Sequence, residues 1–352
     1  MLVNSHKYFS FYTLVLLFLL LLSVVLYQAR LLLIPLSFAL LICFMYYPIG
    51  LWVEKRAGRA VSIAACLLLL LAFGVLLYYL LAGSISLLQD KLAGSKDRIL
   101  DLGNWLGAYF DGLFAIDPAR QKSTLEQLYE NLLHETIPFI RQAITLSAGT
   151  LAMVMIIPIF VSLILYYREL LVRFTLLIVP EEQVDSFKSM FKEITGTYFH
   201  FAKGMGIVYL IVGSLNSLGF LLLGLPNAVY FGVLASLLTF FPYVGIFIGG
   251  SAAVVVAWAT FNTIWHPMGV VAILGFVQYL EANLIFPLAV GHQIKLNPLA
   301  TLIVILLGGI IWGGAGIVLF VPFAAILKIL ADRVDALHPL AVFLGPDSRE
   351  GT

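Results

Sequence analysis

Residues 204–224 read GMGIVYLIVGSLNSLGFLLLG, a run without any residue that is charged at neutral pH. Between positions 204 and 327 the only ionised residues are Glu281 and Lys295. Such a stretch requires lipid as its solvent, and in lipid only α-helices and closed β-barrels satisfy the polar groups of the backbone. The run lacks the strict alternation of polar and apolar residues that barrel strands show, so helices are predicted.

The composition of the whole chain agrees with this interpretation. Of the 352 residues, 62% are hydrophobic and 11% are charged, whereas soluble domains carry about a quarter charged residues. The net charge of +1 gives no indication of a nucleic-acid partner. Cys43 and Cys66 both fall in apolar runs and are interpreted as inert buried thiols. We therefore predict an all-α, polytopic integral membrane protein.

About 20 apolar residues cross a bilayer core, and this rule predicts about eight transmembrane helices. The sixth run is too long for one simple crossing and contains Pro242, which favours a broken helix or a re-entrant hairpin over a tilted rod. The predicted spans are residues 10–28, 31–50, 60–82, 147–167, 204–224, 227–258, 268–290 and 299–327.

The chain divides into five predicted segments. Residues 1–83 hold three transmembrane helices, and residues 84–146 form an extracytoplasmic amphipathic insert. Its two helices either pack on each other or contact another subunit. Residues 147–203 hold the fourth span and a cytoplasmic amphipathic helix, which either lies on the membrane surface or caps the bundle. Residues 204–330 form the transport core, and residues 331–352 form the tail.

Basic residues predict the orientation of the chain. They cluster after the second, fourth and last spans, and all lie on one side if both termini are cytoplasmic. These residues are Lys55, Arg56, Arg59, Arg168, Arg173, Lys188, Lys192, Lys203, Lys328 and Arg333.

Glu281 is the candidate coupling residue, because it lies within an otherwise apolar span. A carboxylate at this depth has to be paired, to face water, or to be protonated near neutral pH. Gln278 precedes it by three residues and shares its helix face. A carboxylate that changes protonation with exposure is what proton or cation coupling requires. The alternative is that Glu281 and Gln278 only link helices through hydrogen bonds.

Prolines and glycines mark further candidate positions in the transport core. Prolines at or within spans free backbone carbonyls, and transporters place solute sites at such helix breaks. Asn283 and the segment Pro242-Tyr243 with Gly245 therefore complete the predicted solute path. Small residues at GxxxG spacing permit close helix packing or a moving gate. The predicted structural or gating positions are Pro226, Gly249, Pro287, Gly309, Gly313, Gly316 and Pro322.

The sequence contains none of the readable catalytic motifs. There is no GxxxxGK, HExxH or GxSxG motif, and no metal-ligand set. We therefore predict no enzyme activity, no cofactor and no metal site.

The C-terminal half resembles the autoinducer-2 exporter family, also called PerM-type permeases, and earlier prolines extend the resemblance over nearly the whole chain. The combination of blocks is specific, whereas no single block is. The matching residues are Gly224-Leu225-Pro226, Phe241-Pro242-Tyr243-Val244-Gly245, Gly249, Gln278, Glu281, Asn283, Pro287, Gly291, Pro298, Gly308-Gly309, Gly313, Gly316, Pro322 and Ala324-Ala325.

This resemblance implies eight membrane helices, an extracytoplasmic insert, homo-oligomerisation and a place in the bacterial inner membrane. It implies export of the quorum-sensing signal autoinducer-2 or related small solutes, and in some relatives sodium–proton exchange. The leading hypothesis is a secondary exporter in which Glu281 carries the coupling proton. The alternatives are a cation/proton antiporter using the same site and a non-transporting membrane scaffold or sensor that works through residues 84–146.

Overall fold

The computed structural model describes residues 20–93, 148–239, 244–261, 263–290 and 296–345, with isolated helical positions in 13–18 and 127–131. The regular secondary structure in these ranges is helical, which confirms the predicted all-α membrane fold. Within these ranges, six helices are long and apolar enough to cross a membrane, and three shorter helices are also apolar. Most of the predicted insert and all of residues 240–243 lie outside the described residues.

Eleven labelled helices follow a helical stretch at residues 20–28, and a π-helical turn at Glu281–Ile285 joins α7 to α8. The helices are α1 (Arg30–Ala57), α2 (Arg59–Ala93), α3 (Ala148–Ile178), α4 (Val184–Leu222), α5 (Ala228–Leu238), α6 (Val244–Thr260), α7 (Trp265–Leu280), α8 (Phe286–Ala289), α9 (Pro298–Trp312), α10 (Gly314–Ala331) and α11 (His338–Leu344).

The chain forms two compact units, whose boundaries fall inside α2, near the start of α3 and inside α4. Unit 1 takes residues 1–67, 152–202 and 292–352, and unit 2 takes residues 68–151 and 203–291. Unit 1 thus contains α1, α3, α9, α10, α11 and the N-terminal half of α4. Unit 2 contains the C-terminal half of α4 and all of α5 to α8.

The amphipathic stripe predicted in residues 168–203 packs inside unit 1. Met190, Ile194 and Tyr198 are buried with Leu41 of α1 and Leu319 of α10. The stripe and the predicted fifth span belong to one helix of 39 residues. At 1.5 Å per residue, α4 is about 58 Å long, which is about twice the thickness of a bilayer core.

Helices α9 and α10 form a tight antiparallel hairpin, so the prediction of one span over residues 299–327 is wrong. The chain reverses at Gly313, which has φ 60° and ψ −138°, a conformation that favours glycine. Gly308 and Gly316 lie at similar distances before and after this turn. A Cβ atom added to Gly316 would lie 1.8 Å from the carbonyl oxygen of Gly308. The two backbones therefore touch.

In unit 2, α4 and α7 run antiparallel. A Cβ on Gly204, near the start of this half of α4, would lie 2.5 Å from the carbonyl oxygen of Ala289. A Cβ on Gly219, farther along α4, would lie 2.6 Å from Ile273 in the middle of α7, and a Cβ on Gly269, near the start of α7, would lie 2.9 Å from Leu223. Because the contacts run in opposite order along the chain, α7 begins at the level where α4 ends. Residues 223–264, which connect the end of α4 to the start of α7, therefore begin and end at the same height along these two helices.

Helices α5 and α6 form the hairpin that fills this interval. A Cβ on Gly249 of α6 would lie 2.7 Å from the Cα atom of Ala235 in α5, so the end of α5 packs against the start of α6. The helices have 11 and 17 residues, or about 16 and 25 Å, and neither spans a core of about 30 Å. The geometry favours the re-entrant hairpin among the predicted alternatives for residues 227–258.

Candidate functional site

Glu281 begins the π-helical turn that interrupts the seventh predicted span. Pro287 follows six residues later, and a proline has no N–H and displaces the carbonyl four residues before it. We attribute the wider turn to this proline, since π-turns absorb such a mismatch and are frequent at functional sites. The turn places the Glu281 side chain inside unit 2, where 9% of the residue is exposed.

The side chain of Glu281 faces a small cavity between α4, α5 and α7. The cavity has a volume of about 10 Å³, which is about the size of one water molecule. The residues around it are apolar except for four that carry oxygen atoms. The lining residues are Val212, Asn216, Ala235, Thr239, Leu274, Val277, Gln278 and Glu281.

Two of these oxygen atoms are buried and have no hydrogen-bond partner. They are Oε2 of Glu281 and Oδ1 of Asn216, and Asn216 is only 3% exposed. Within the described residues no Lys, Arg or His forms an ion pair with Glu281. An unsatisfied buried polar group costs about 1–3 kcal/mol. A hydrogen-bond donor or a cation in the cavity would satisfy these two oxygen atoms.

Hydroxyl groups on and near α5 line the same region. The hydroxyl of Thr239 donates to the carbonyl of Ser236 at 2.5 Å, and that of Ser236 donates to Val233 at 2.9 Å. Because each hydroxyl donates its hydrogen bond to a backbone carbonyl, its oxygen can still accept a hydrogen bond from another donor. In the part of the chain that the structure describes, no group of three His, Cys, Asp or Glu residues could hold a metal ion.

A larger groove of about 900 Å³ lies on the other side of these residues in unit 2. Its apolar walls come from α4, α5 and Leu76 of α2, and its polar groups include Ser214, Ser217 and Ser236. Tyr209 lines this groove and lies within electrostatic range of Glu281. The Tyr209 hydroxyl is buried without a hydrogen-bond partner. Tyr209 therefore connects the groove with the surroundings of the carboxylate.

The structure brings some of the predicted path residues together and not others. Glu281 and Gln278 share the cavity. Asn283 is exposed, and its amide donates to the carbonyl of Tyr279 at 2.9 Å, so it does not line the cavity. Pro242 and Tyr243 lie outside the described residues, and Gly245 is described only as part of the backbone of α6.

The predicted structural or gating residues lie at turns and helix contacts. Pro226 lies in the connection between α4 and α5. Pro322 lies inside α10, and its carbonyl accepts a hydrogen bond from the Tyr198 hydroxyl. Gly309 meets Ile317 at an ordinary 3.4 Å, so the close contact of that hairpin does not use it. Gly249, Pro287, Gly313 and Gly316 occupy the positions described above.

Sequence reasoning did not find Asn216, Thr239 or Tyr209. Asn216 could have been found from the sequence. A polar side chain in an apolar span is costly to bury, so an amide there is a candidate functional residue, as an acid is. Thr239 and Tyr209 left no signal of their own. A single hydroxyl in an apolar helix is ordinary, and only the packing of α4 and α5 places these two near Glu281.

Comparison with known proteins agrees with this membrane architecture. The sequence matches the family described as AI-2E family transporter over residues 16–335. It is 27% identical over 307 residues to YueF of Bacillus subtilis, covering 84% of this chain and 82% of YueF. It is also 24% identical over 311 residues to YrrI of Bacillus subtilis (84% and 85% covered) and 26% identical over 307 residues to MT0215 of Mycobacterium tuberculosis (86% and 82% covered).

The names of these three relatives describe transport and give no substrate. The family match covers most of the chain, and the fold is that of a multi-pass membrane protein. The resemblance noted in the sequence is thereby confirmed. The chain belongs to the AI-2E transporter family of membrane transport proteins.

Proposed function

We propose that this chain is a secondary transporter that exports a small solute, such as autoinducer-2, and that Glu281 couples export to an ion gradient. The observation that carries this proposal is the buried Oε2 atom of Glu281, which faces a water-sized cavity without a partner. A carboxylate that only linked helices would have its oxygen atoms engaged by neighbouring donors.

A proton is the simplest ion for this site. Protonation removes the charge of Glu281 and supplies the missing donor, so the protonated residue suits a closed cavity. When the cavity opens to water, the charged form of Glu281 is favoured. A potential of about 100 mV supplies about 2.3 kcal/mol per charge, so one proton sustains roughly fiftyfold accumulation.

The groove beside the cavity is the proposed solute path. Its volume of about 900 Å³ lies in the range of small-molecule sites, whereas the cavity at Glu281 holds nothing larger than a water molecule. Tyr209 lines the groove, interacts electrostatically with Glu281, and is the proposed link between solute and ion. The segment with Pro242, Tyr243 and Gly245 remains a proposed part of the path beyond this groove.

The alternative is a sodium or other cation/proton antiporter. The observation that favours it is the set of side-chain oxygen atoms from Glu281, Asn216, Gln278 and Thr239 around one small cavity, because hard cations bind oxygen ligands. A membrane scaffold or sensor is the least supported function. It would depend on residues 84–146, and it leaves the unpartnered carboxylate unexplained.

The membrane setting completes the proposal. We place the chain in a bacterial inner membrane with both termini in the cytoplasm, as the distribution of basic residues indicates. We also propose homo-oligomers, in which some of the exposed apolar side chains on the spans contact another copy rather than lipid. The partners are thus the bilayer, a small solute and a proton or sodium ion, with no enzyme activity and no nucleic acid.

The test is flux in proteoliposomes under an imposed pH gradient, with autoinducer-2 and sodium as trial substrates. We expect the wild type to move one of them and to release protons, and we expect Glu281→Gln to reduce this flux to the level of empty liposomes. Glu182→Gln is the matched control, since Glu182 is an exposed carboxylate before α4, and it should retain wild-type flux.

The moving substrate decides between the two transport functions. Solute flux with proton release supports the exporter, and sodium-dependent proton release without a solute supports the antiporter. Gradient-driven flux that survives in Glu281→Gln would exclude Glu281 as the coupling residue. If deletion of residues 84–146 abolishes the cellular function while Glu281→Gln preserves it, the scaffold or sensor is the better explanation.

A further inference from the structure

Unit 1 contains a separate cavity, which the proposed transport path does not use. Its volume is about 530 Å³, and it lies between α1, α3 and the first turns of α4. Most of its wall is apolar, with Leu40 and Phe44 from α1, Leu176 from α3 and Phe191 from α4. A cavity of this size and lining suits a small organic ligand or part of a larger apolar one.

The charged residues of this cavity lie in the C-terminal half of α3. The thiol of Cys43 contacts the carbonyl of Val161 at 3.8 Å, and Glu54 pairs with Arg168 at 2.6 Å. The two helices therefore run in the same direction. Arg173 lines the cavity beyond Arg168 along α3, between the apolar lining residues Val172 and Leu176.

The charges at this end leave one cation without a counter-charge. Arg168 is paired with Glu54 at 2.6 Å, and the lining residue Glu169 is paired with an arginine of α2 at 3.0 Å. Arg173 is exposed, and among the described residues it has no ion-pair or hydrogen-bond partner. The mouth of the cavity therefore carries a net positive charge that an anion would neutralise.

Apolar side chains surround this arginine on the outer face of α3. Leu170 is 63% exposed, Phe174 is 62% exposed and Leu177 is 78% exposed. A membrane helix that exposes such residues beside an arginine places its guanidinium where lipid tails meet headgroups. Basic pockets between transmembrane helices at this depth are suited to anionic lipid headgroups.

We propose that this cavity binds one anionic phospholipid, with its phosphate on Arg173 and part of an acyl chain between Leu40, Phe44 and Leu176. The headgroup carries a net negative charge, which matches the unpaired guanidinium. A zwitterionic headgroup brings its own cation and gains less from this contact. The acyl chain fills apolar space that water would occupy at a cost.

The experiment measures which lipid the purified protein retains. Delipidated protein in detergent is mixed with equal amounts of phosphatidylglycerol and phosphatidylcholine that carry the same acyl chains, and native mass spectrometry counts the adducts. One basic residue near a membrane surface contributes about 1 kcal/mol, so we expect about a fivefold preference for phosphatidylglycerol. Arg173→Gln should remove this preference, and its folding is not at risk because the residue is exposed.

Lys192→Gln is the matched control, because Lys192 is an exposed cation on α4 that does not line the cavity. It should keep the fivefold preference. A preference that survives in Arg173→Gln, or that falls equally in Lys192→Gln, would overturn the proposal, since charge near the membrane would then act without a site.

Two further arms test the apolar part of the site. Leu40→Trp fills the cavity and should reduce the retention of both lipids at least fivefold. Glycerol 3-phosphate, which has the phosphate without acyl chains, should not displace bound phosphatidylglycerol at equal concentration. Full retention in a folded Leu40→Trp, or displacement by glycerol 3-phosphate, would contradict a bound phospholipid.

Discussion

The hairpins α5–α6 and α9–α10 both arise from apolar runs that are too long for one crossing, yet their contacts differ. The α9–α10 hairpin closes through backbone contact between Gly308 and Gly316. The α5–α6 hairpin also packs closely, at Gly249, but it contributes Thr239 to the cavity at Glu281. The α9–α10 hairpin is therefore a packing element, whereas the α5–α6 hairpin both packs closely and lines the candidate site.

This comparison teaches where an apolar membrane chain can place polar groups. A hairpin held by touching backbones has no room between its helices for a ligand. A hairpin that packs against a neighbouring helix through small and hydroxyl-bearing residues leaves a cavity beside it. Polar groups in such a cavity lack hydrogen-bond partners within the protein, so a solute or an ion can supply them.

The sharpest test of the comparison is the membrane topology of α5–α6, because its outcome is all-or-none. If the hairpin is re-entrant, Asn227 and Thr263 lie on the same side of the membrane. Asn227→Cys and Thr263→Cys are each introduced into a chain in which Cys43 and Cys66 are replaced by alanine. We expect an impermeant maleimide to label both from the same side, and labelling from opposite sides would mean that α5–α6 crosses the membrane.

Gly316→Ala should have the largest effect on stability. Its Cβ atom would lie 1.8 Å from the carbonyl oxygen of Gly308, so the two helices of the hairpin have to separate. Overpacking of this kind costs about 3 kcal/mol or more, and we expect a clear loss of folded protein and of thermal stability in detergent.

Glycines elsewhere in the same hairpin provide controls for this change. A Cβ on Gly314 would have no atom within 4 Å, and one on Gly309 would meet Ile317 at 3.4 Å. Alanine at either position should be nearly neutral. If Gly316→Ala is as stable as Gly309→Ala, the backbones of α9 and α10 do not touch as described.

Asn216→Leu should have a smaller effect on stability and one of opposite sign. Leucine has the same branched shape and the same number of non-hydrogen atoms, and it removes the unpartnered oxygen, so the protein should become about 1 kcal/mol more stable. Transport should fall at least about tenfold, because the cavity loses an oxygen ligand. Thermal unfolding and proteoliposome flux, measured on the same preparations, separate the two effects.

The same substitution at Asn283 is the control, since Asn283 is exposed and does not line the cavity. It should leave flux unchanged. Equal losses of flux at the two positions would show that the path follows the outer face of α7 and not the cavity.

The sequence was sufficient for the membrane class, most of the helices and the choice of Glu281 as a buried acid in an apolar span. Charges are so costly in lipid that their absence marks the spans, and the one acid in an apolar span is conspicuous. Pro242 likewise marks a break, because proline removes a backbone donor. These inferences depend on the residue types within one short segment, and a single sequence shows those directly.

The remaining features depend on contacts that are distant in sequence. Gly313 within an apolar run indicates close packing as readily as a reversal, so the α9–α10 hairpin was predicted as one span. Asn216 and Thr239 reach Glu281 only because α4 and α7 run antiparallel with α5 beside them. Asn283 was predicted in the path, although residues two positions apart on a helix do not face each other.

The π-turn at Glu281 gives the seventh span one residue more than an ordinary α-helix of the same number of turns, because a π-turn holds one residue more than an α-turn. Deletion of Ala282 would let the helix continue in ordinary α-geometry, and the side chains beyond the turn would keep their direction, because the deleted residue is the extra one. Ile285, which is now buried, would stay on the inner face. A one-residue deletion at this point would therefore remove the wide turn at Glu281 without misaligning the interior of unit 2.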